Sequence, residues 1–165
     1  MIIVAKATQE PNNGPQDYVE VCLPQYWIVL QEQGCFAYAW TFNPDDHALA
    51  ELRQNLPFRQ GLRETWLYLI GQPWQSPLRM RIVDFRHDRQ PLHCPREWRQ
   101  YCITSEWCIT EFEDRPTWPP IHLWFLVDQI RPVQPPADVR DRTRFRPLFR
   151  DKYQTYGRMH FGFFQ

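Results

Sequence analysis

Side chains that can bind a flat, anionic ligand are concentrated in the middle of the sequence. Arg79 and Arg81 alternate with apolar residues, so a strand over this segment would present both guanidinium groups on one face. Trp74 precedes them in segment 71–77, which glycine, proline and serine interrupt. Guanidinium groups bind phosphate through paired N–H donors and stack on flat rings. These three side chains indicate a site for a flat anion; the alternative is that Trp74 packs over the edge of a small barrel.

Two strands must position these side chains. Segment 66–70 is apolar or aromatic at both alternating positions, a pattern typical of a strand buried on both faces. Segment 78–85 places Met80 and Ile82 on one face and the arginines on the other. The break between the two segments predicts an antiparallel pair of strands with Trp74 at its tip.

The composition favours a β-rich domain of short elements. The chain has 16 prolines against 6 glycines, and 16% of it is aromatic; prolines interrupt elements and stiffen the connections between them. A helix is predicted from the N-cap Asn43, with Pro44 in its first turn, to Leu56, and a shorter helix from Pro95 to Tyr101. Strands are predicted at 26–30, 35–42, 66–70, 78–85, 106–112, 121–130 and 159–163, and residues 2–5 are predicted to be a short strand or a tail. We expect an α+β domain built on a small mixed β-barrel flanked by short helices.

Charge is distributed unevenly along a chain whose net charge is zero. Residues 131–165 carry 8 basic and 3 acidic residues, whereas residues 1–130 carry 11 basic and 16 acidic residues. We expect one domain over 1–136 and a basic C-terminal segment, 137–165, that packs on this domain or extends it. Phosphate contacts are predicted at Arg79, Arg81, Arg142, Arg144 and Arg146. Arginine outnumbers lysine 17 to 2, which suits phosphate binding, although a lineage that prefers arginine would show the same bias.

Residue spacing gives less support to metal binding and catalysis. One region contains histidines and cysteines without the C-x-x-C or H-x-x-x-H pairs typical of zinc sites: His87, His93, Cys94, Cys102 and Cys108. A small metal-dependent nuclease would need four carboxylates to meet around a metal: Asp84, Glu97, Glu111 and Glu113. The sequence has no G-x-S-x-G motif, P-loop or dinucleotide fingerprint. We predict no catalytic residue, no metal and no cofactor, with the nuclease as an alternative.

The chain shows no targeting or membrane signal. Its N-terminus lacks the basic leader and apolar core of a signal peptide, and no apolar run approaches the length of a membrane span. The 5 cysteines occur singly, which indicates reduced thiols. We expect a cytoplasmic protein without a membrane partner.

The order of the predicted elements resembles that of the EVE domains, which belong to the PUA-like group with the YTH domains. The run 26–30 resembles the first strand of that family, and Ala39–Asn43 resembles its tryptophan-bearing strand. A helix, the apolar strand 66–70 and the strand 78–85 follow in the family's order. The segments 108–112 and 119–123 resemble its closing strand and turn, so the resemblance covers roughly residues 26–132.

The resemblance implies a curved β-barrel that recognises a flipped or modified base in an aromatic pocket, for defence against foreign DNA, including antiviral defence, or for RNA handling. It implies that Trp40 and Asn43 lie near the pocket and that Gln72 and Trp74 form its rim. We therefore expect a non-catalytic module that binds DNA or RNA. The alternatives are a protein-interaction subunit of a larger complex and the nuclease described above.

Overall fold

The computed structural model describes residues 2–6, 23–40, 44–70, 78–103, 121–132, 145–147 and 159–164. Seven strands, two α-helices and one 3₁₀ helix lie in these ranges. In chain order they are β1 (Ile2–Lys6), α1 (Leu23–Gln33), β2 (Phe36–Trp40), α2 (Asp46–Asn55), β3 (Thr65–Ile70), β4 (Leu78–His87), the 3₁₀ helix (Arg96–Tyr101), β5 (Leu123–Pro132), β6 (Phe145–Pro147) and β7 (Met159–Phe164). No helix in these ranges is long and apolar enough to cross a membrane.

The strands form one sheet in the order β2-β5-β4-β3-β1-β7-β6. Strands β2, β5, β4 and β3 pair antiparallel with one another in that order. Strand β1 then pairs with β3 in the parallel orientation. The α+β class is confirmed. The predicted closed barrel is wrong for the described strands, because closure requires the two end strands to pair and the sheet remains open between β2 and β6.

The hydrophobic core lies on one face of this sheet, under the two α-helices. Phe36, Leu67, Met80 and Phe125 come from four different strands and are all fully buried. They belong to the same cluster as Leu52 of α2. Met80 and Ile82 are both buried, as the alternation in β4 predicts, and the strands β3 and β4 pair antiparallel as expected.

The predicted strand 26–30 is wrong, because these residues lie in α1. Tyr26 is buried and Val29 and Leu30 pack against the core, whereas Trp27 and Ile28 are exposed. Burial at spacings of three and four residues is the pattern of a helix face. The run of aromatic and β-branched residues favours a strand locally, but packing on the sheet overrides that preference. The helix ends at Gly34, where a φ of 75° suits glycine.

Helix α2 is present where a helix was predicted, but its cap differs. The carboxylate of Asp45 accepts hydrogen bonds from the backbone N–H groups of His47 and Ala48, at 3.1 and 3.0 Å. Asp45 is therefore the N-cap, so the assignment of this role to Asn43 is wrong, and Pro44 precedes the cap instead of occupying the first turn. A carboxylate at this position also interacts favourably with the helix dipole.

A second cluster covers part of the opposite face of the sheet. Trp124 of β5 is 2% exposed, and its indole N–H donates a 2.8 Å hydrogen bond to the carbonyl of Leu92. Trp98 of the 3₁₀ helix packs in the same cluster. Strand β5 begins within the predicted segment 121–130, and its Leu123, Phe125 and Val127 are buried in the main core. It is buried on its second face as well, because the segment 92–102 covers Trp124.

The C-terminal strands extend the sheet beyond β1. Strand β7, predicted from alternating apolar residues, is confirmed and pairs antiparallel with β1, and β6 pairs with β7. The N-terminal strand β1 is also present as predicted. It lies between β3 and β7, so the two ends of the chain meet inside one sheet.

Candidate anion-binding face of the sheet

The arginines of β4 lie on the side of the sheet opposite the main core. Residues that are paired across neighbouring strands share a face, and the register pairs Arg79 with Tyr68 and Arg131, and Arg81 with Trp66 and Gln129. We call the surface formed by these residues the arginine face: Trp66, Tyr68, Arg79, Arg81, Gln129 and Arg131. Strand alternation therefore brings the predicted arginines together with two aromatic side chains.

Arg81 is held by two carboxylates. Its Nε and Nη2 donate to the two oxygens of Asp128 at 2.8 and 2.7 Å, and its Nη1 donates to Glu64 at 2.9 Å. The hydrogen bond from Arg81 holds the pKa of Glu64 below its usual value. Bidentate pairing of this kind fixes the guanidinium in one orientation. A phosphate could bind Arg81 only in competition with these carboxylates.

A register irregularity brings Asp128 to Arg81. The pairing of β4 with β5 shifts between Arg81 and Ile82, and again between Ile82 and Asp84. Arg81 pairs with Gln129 and Ile82 pairs with Val127, so Asp128 is an additional residue on its strand. Bulges reorient a side chain in this way, and here the result is a paired charge beside the arginine face.

Arg79 contacts an aromatic ring, whereas Arg81 contacts carboxylates. Its guanidinium carbon lies 4.5 Å from the centroid of the Trp66 ring, a cation–π contact. Within the described ranges it forms no ion pair, and its buried Nε has no hydrogen-bond partner. An unsatisfied buried donor of this kind costs stability.

Arg131 places a second positive charge directly across from Arg79. The two residues are cross-strand partners on β5 and β4, and Arg131 is exposed. It too has no ion pair with a described carboxylate. Like charges directly opposite each other destabilise a sheet, so this arrangement favours a bound anion between the two guanidinium groups. We call Arg79 and Arg131 the arginine pair.

The structure does not bring Trp40 to the arginine face. Trp40 packs against the main core cluster, with its ring 5.7 Å from that of Tyr38. It therefore lies on the opposite side of the sheet from Arg79, on a strand separated from β4 by β5. One pocket cannot be lined by both residues.

The other predicted site residues lie outside the described ranges or far along the sheet from the arginine face. Five of them lie outside the described residues: Asn43, Gln72, Trp74, Arg142 and Arg144. Arg146 belongs to β6, at the end of the sheet farthest from β2. The sequence did not single out Trp66, Tyr68 or Arg131, because only the strand register shows that they share a face with Arg79.

Two of the carboxylates proposed for a nuclease lie close together, but around an arginine. Arg86 pairs with Asp84 at 2.7 Å and with Glu97 at 3.5 Å, and its guanidinium lies over the ring of Trp98 at 4.7 Å. The two other carboxylates, Glu111 and Glu113, lie outside the described residues, as does Cys108. Among the residues that the structure describes, no three metal-ligating side chains come together.

The arginine face supports a stability prediction that contrasts two ion pairs. Arg81→Gln should lower the free energy of unfolding by about 2 kcal/mol, because it leaves the partly buried carboxylate of Asp128 without its bidentate partner and removes the hydrogen bond to the exposed Glu64. Arg89→Gln is the matched control: Arg89 pairs with Asp46 at 3.0 Å, but both side chains are more than three-quarters exposed, and such pairs contribute roughly 0–1 kcal/mol. Urea denaturation of the two variants measures the difference; equal losses would contradict a structural role for Arg81.

Comparison with known protein families, with curated proteins and with solved structures found no match.

Proposed function

We propose that this protein is a non-catalytic nucleic-acid-binding module that contacts phosphate through the arginine pair. The observation that carries the proposal is the direct opposition of Arg79 and Arg131 across two strands, with neither one in an ion pair with a described carboxylate. Planar guanidinium groups bind phosphate through paired N–H donors. The neighbouring ion pairs of Arg81 support the assignment, because they hold the surrounding strands in place and engage Asp128 and Glu64 with Arg81.

The proposal includes recognition of a flipped or modified base. Gln72 and Trp74 follow β3 and precede β4 in the chain, and Arg79 is the second residue of β4. A base stacked on Trp74, with hydrogen bonds from Gln72 to its edge, would have its phosphate within the region of the arginine pair. Trp40 is left out of this version of the pocket, because it packs in the main core.

The resemblance to the EVE domains remains part of the proposal. It applies to the order β2, α2, β3 and β4, since α1 occupies the position at which that family's first strand was expected. If the chain is related to the PUA-like domains, it has an open sheet where the resemblance implies a barrel. We propose the cytoplasmic setting and the roles that the resemblance implies, antiviral or other defence against foreign DNA and the handling of RNA, on the same basis.

Salt-dependent binding tests the phosphate contact. Fluorescence anisotropy with single- and double-stranded DNA and RNA oligonucleotides, measured over a salt series, gives the slope of log K against log salt. Arg79→Ala should reduce that slope by about one and weaken binding similarly for every sequence. Arg89→Ala is the control, because it removes one positive charge that is already paired with Asp46. The proposal fails if the wild-type protein binds none of the oligonucleotides, or if both variants change the slope equally.

A protein-interaction subunit is the second candidate, and α1 provides a specific reason for it. Trp27 and Ile28 are adjacent on this helix and are 37% and 52% exposed. Large exposed apolar side chains are often found at protein interfaces. An interface of this type would lose affinity on Trp27→Ala and depend little on salt, whereas binding through the arginine pair would depend on salt and be unaffected by this substitution.

A further inference from the structure

Two cysteines meet within the segment 92–102 that covers Trp124. The sulfur atoms of Cys94 and Cys102 are 3.3 Å apart, and both residues are thiols. Cys94 lies two residues before the 3₁₀ helix and Cys102 comes directly after it, so this helix folds the chain back and brings the two side chains together. No paired motif predicts this contact, because seven residues separate the two cysteines in the sequence.

We propose that Cys94 and Cys102 are a site of reversible oxidation, at which a small-molecule disulfide converts the two thiols into an intramolecular disulfide. The sulfur atoms must close from 3.3 Å to the roughly 2.05 Å of an S–S bond. We expect a rotation of the two side chains to supply this movement. The site is separate from the arginine face and does not depend on the proposed nucleic-acid binding.

The reaction is two successive thiol–disulfide exchanges. Cys102 is partly exposed and Cys94 is 3% exposed, so we expect Cys102 to react first. The Cys102 thiolate attacks one sulfur of the small-molecule disulfide, breaks its S–S bond and expels one small thiolate. The Cys94 thiolate then attacks the sulfur of Cys102 and expels the second. Two protein thiols are oxidised, one external disulfide is reduced to two thiols, and the two protons released by the cysteines end on those thiols.

The disulfide would close a loop within the segment 92–102, which packs on the sheet. Trp98, between the two cysteines, packs in the cluster of Trp124, and the carbonyl of Leu92 accepts the hydrogen bond of that indole. A covalent link across the 3₁₀ helix reduces the conformational freedom of this segment in the unfolded chain. Oxidation should therefore raise the melting temperature, by roughly 4–8 °C for a chain of this length.

The test uses the full chain and oxidised glutathione. Protein is equilibrated with this disulfide, remaining thiols are blocked with iodoacetamide, and the cross-linked peptides are sequenced by mass spectrometry. We expect a Cys94–Cys102 disulfide in the wild type and in Cys35→Ser, together with a higher melting temperature that dithiothreitol restores to its starting value. Burial raises the pKa of the Cys35 thiol, which makes Cys35→Ser a suitable control for a less reactive cysteine.

Cys94→Ser and Cys102→Ser should lose both the cross-link and the gain in melting temperature. If Cys94→Ser fails to fold, the peptide map of the wild type decides the question without it. The proposal is overturned if the wild-type protein keeps both thiols free after equilibration with oxidised glutathione, if it carries a stable glutathione adduct on Cys102, or if Cys94 links to a different cysteine.

Discussion

Trp124→Ala should reduce the free energy of unfolding by about 3–5 kcal/mol, the largest single-site loss that we expect in this protein. The side chain is 2% exposed, and it lies between β5 and the segment 92–102. Truncation leaves a large cavity and also removes the 2.8 Å hydrogen bond to the carbonyl of Leu92. Because small domains are stable by only about 5–15 kcal/mol, this loss is a large share of the total.

Urea denaturation followed by far-ultraviolet circular dichroism measures the effect. Trp27→Ala is the matched control, since Trp27 is 37% exposed on α1 and its truncation should cost less than about 1 kcal/mol. Trp124→Phe separates packing from hydrogen bonding: it keeps an aromatic ring and should cost about 1–2 kcal/mol for the carbonyl left without its donor. A loss at Trp27 equal to that at Trp124 would contradict the packing of segment 92–102 on the sheet.

Arg131→Glu should change binding and stability in opposite directions. In the free protein it replaces a pair of like charges with a cross-strand ion pair to Arg79, which should stabilise the fold by about 0.2–1 kcal/mol. In the complex with nucleic acid, the substitution removes the phosphate contact of Arg131. The new carboxylate also repels the phosphate and forms an ion pair with Arg79. Each charge-assisted contact contributes about 1.5–3 kcal/mol, so we expect nucleic-acid affinity to fall by roughly tenfold to several hundredfold.

The same oligonucleotide titrations, combined with thermal melts, measure both effects. Arg131→Ala should lose less affinity than Arg131→Glu, because it does not introduce a carboxylate beside Arg79. The control is Arg96→Glu on the 3₁₀ helix, an exposed arginine outside the arginine face. A loss of affinity with an unchanged or increased melting temperature, confined to Arg131, would support the proposed site; equal losses for Arg131→Glu and Arg96→Glu would indicate a general charge effect.

The expected effects at Trp124 and at the arginine pair separate positions that stabilise the fold from positions that bind a ligand. Positions selected for packing lose stability on substitution, as we expect at Trp124. Positions that carry a binding site are often less than optimal for stability, because unpaired charge is kept for the ligand. The arginine pair has the second property and Arg81, which is paired with Asp128 and Glu64, has the first.

Local patterns in the sequence determined most of the individual strands and the helix α2. Alternation in β4 placed Met80 toward the core and Arg79 on the other face, because side chains in a strand alternate regardless of what surrounds them. The helix signals before Leu49 and Leu52 were also local, although the cap is Asp45 and not Asn43. Segment 26–30 was misassigned, since a short aromatic and β-branched run suits a strand or a buried helix equally well.

The tertiary structure alone decided the candidate site. Arg79 and Arg131 face each other because β4 pairs with β5 in one register, and Asp128 reaches Arg81 only through the irregularity in that pairing. Cys94 and Cys102 meet because a 3₁₀ helix folds the chain between them. Pairing between distant segments depends on their fit within the whole sheet, and no local pattern of residues encodes it. The sequence by itself therefore determined which residues could bind an anion, and the fold decided which of them share a surface.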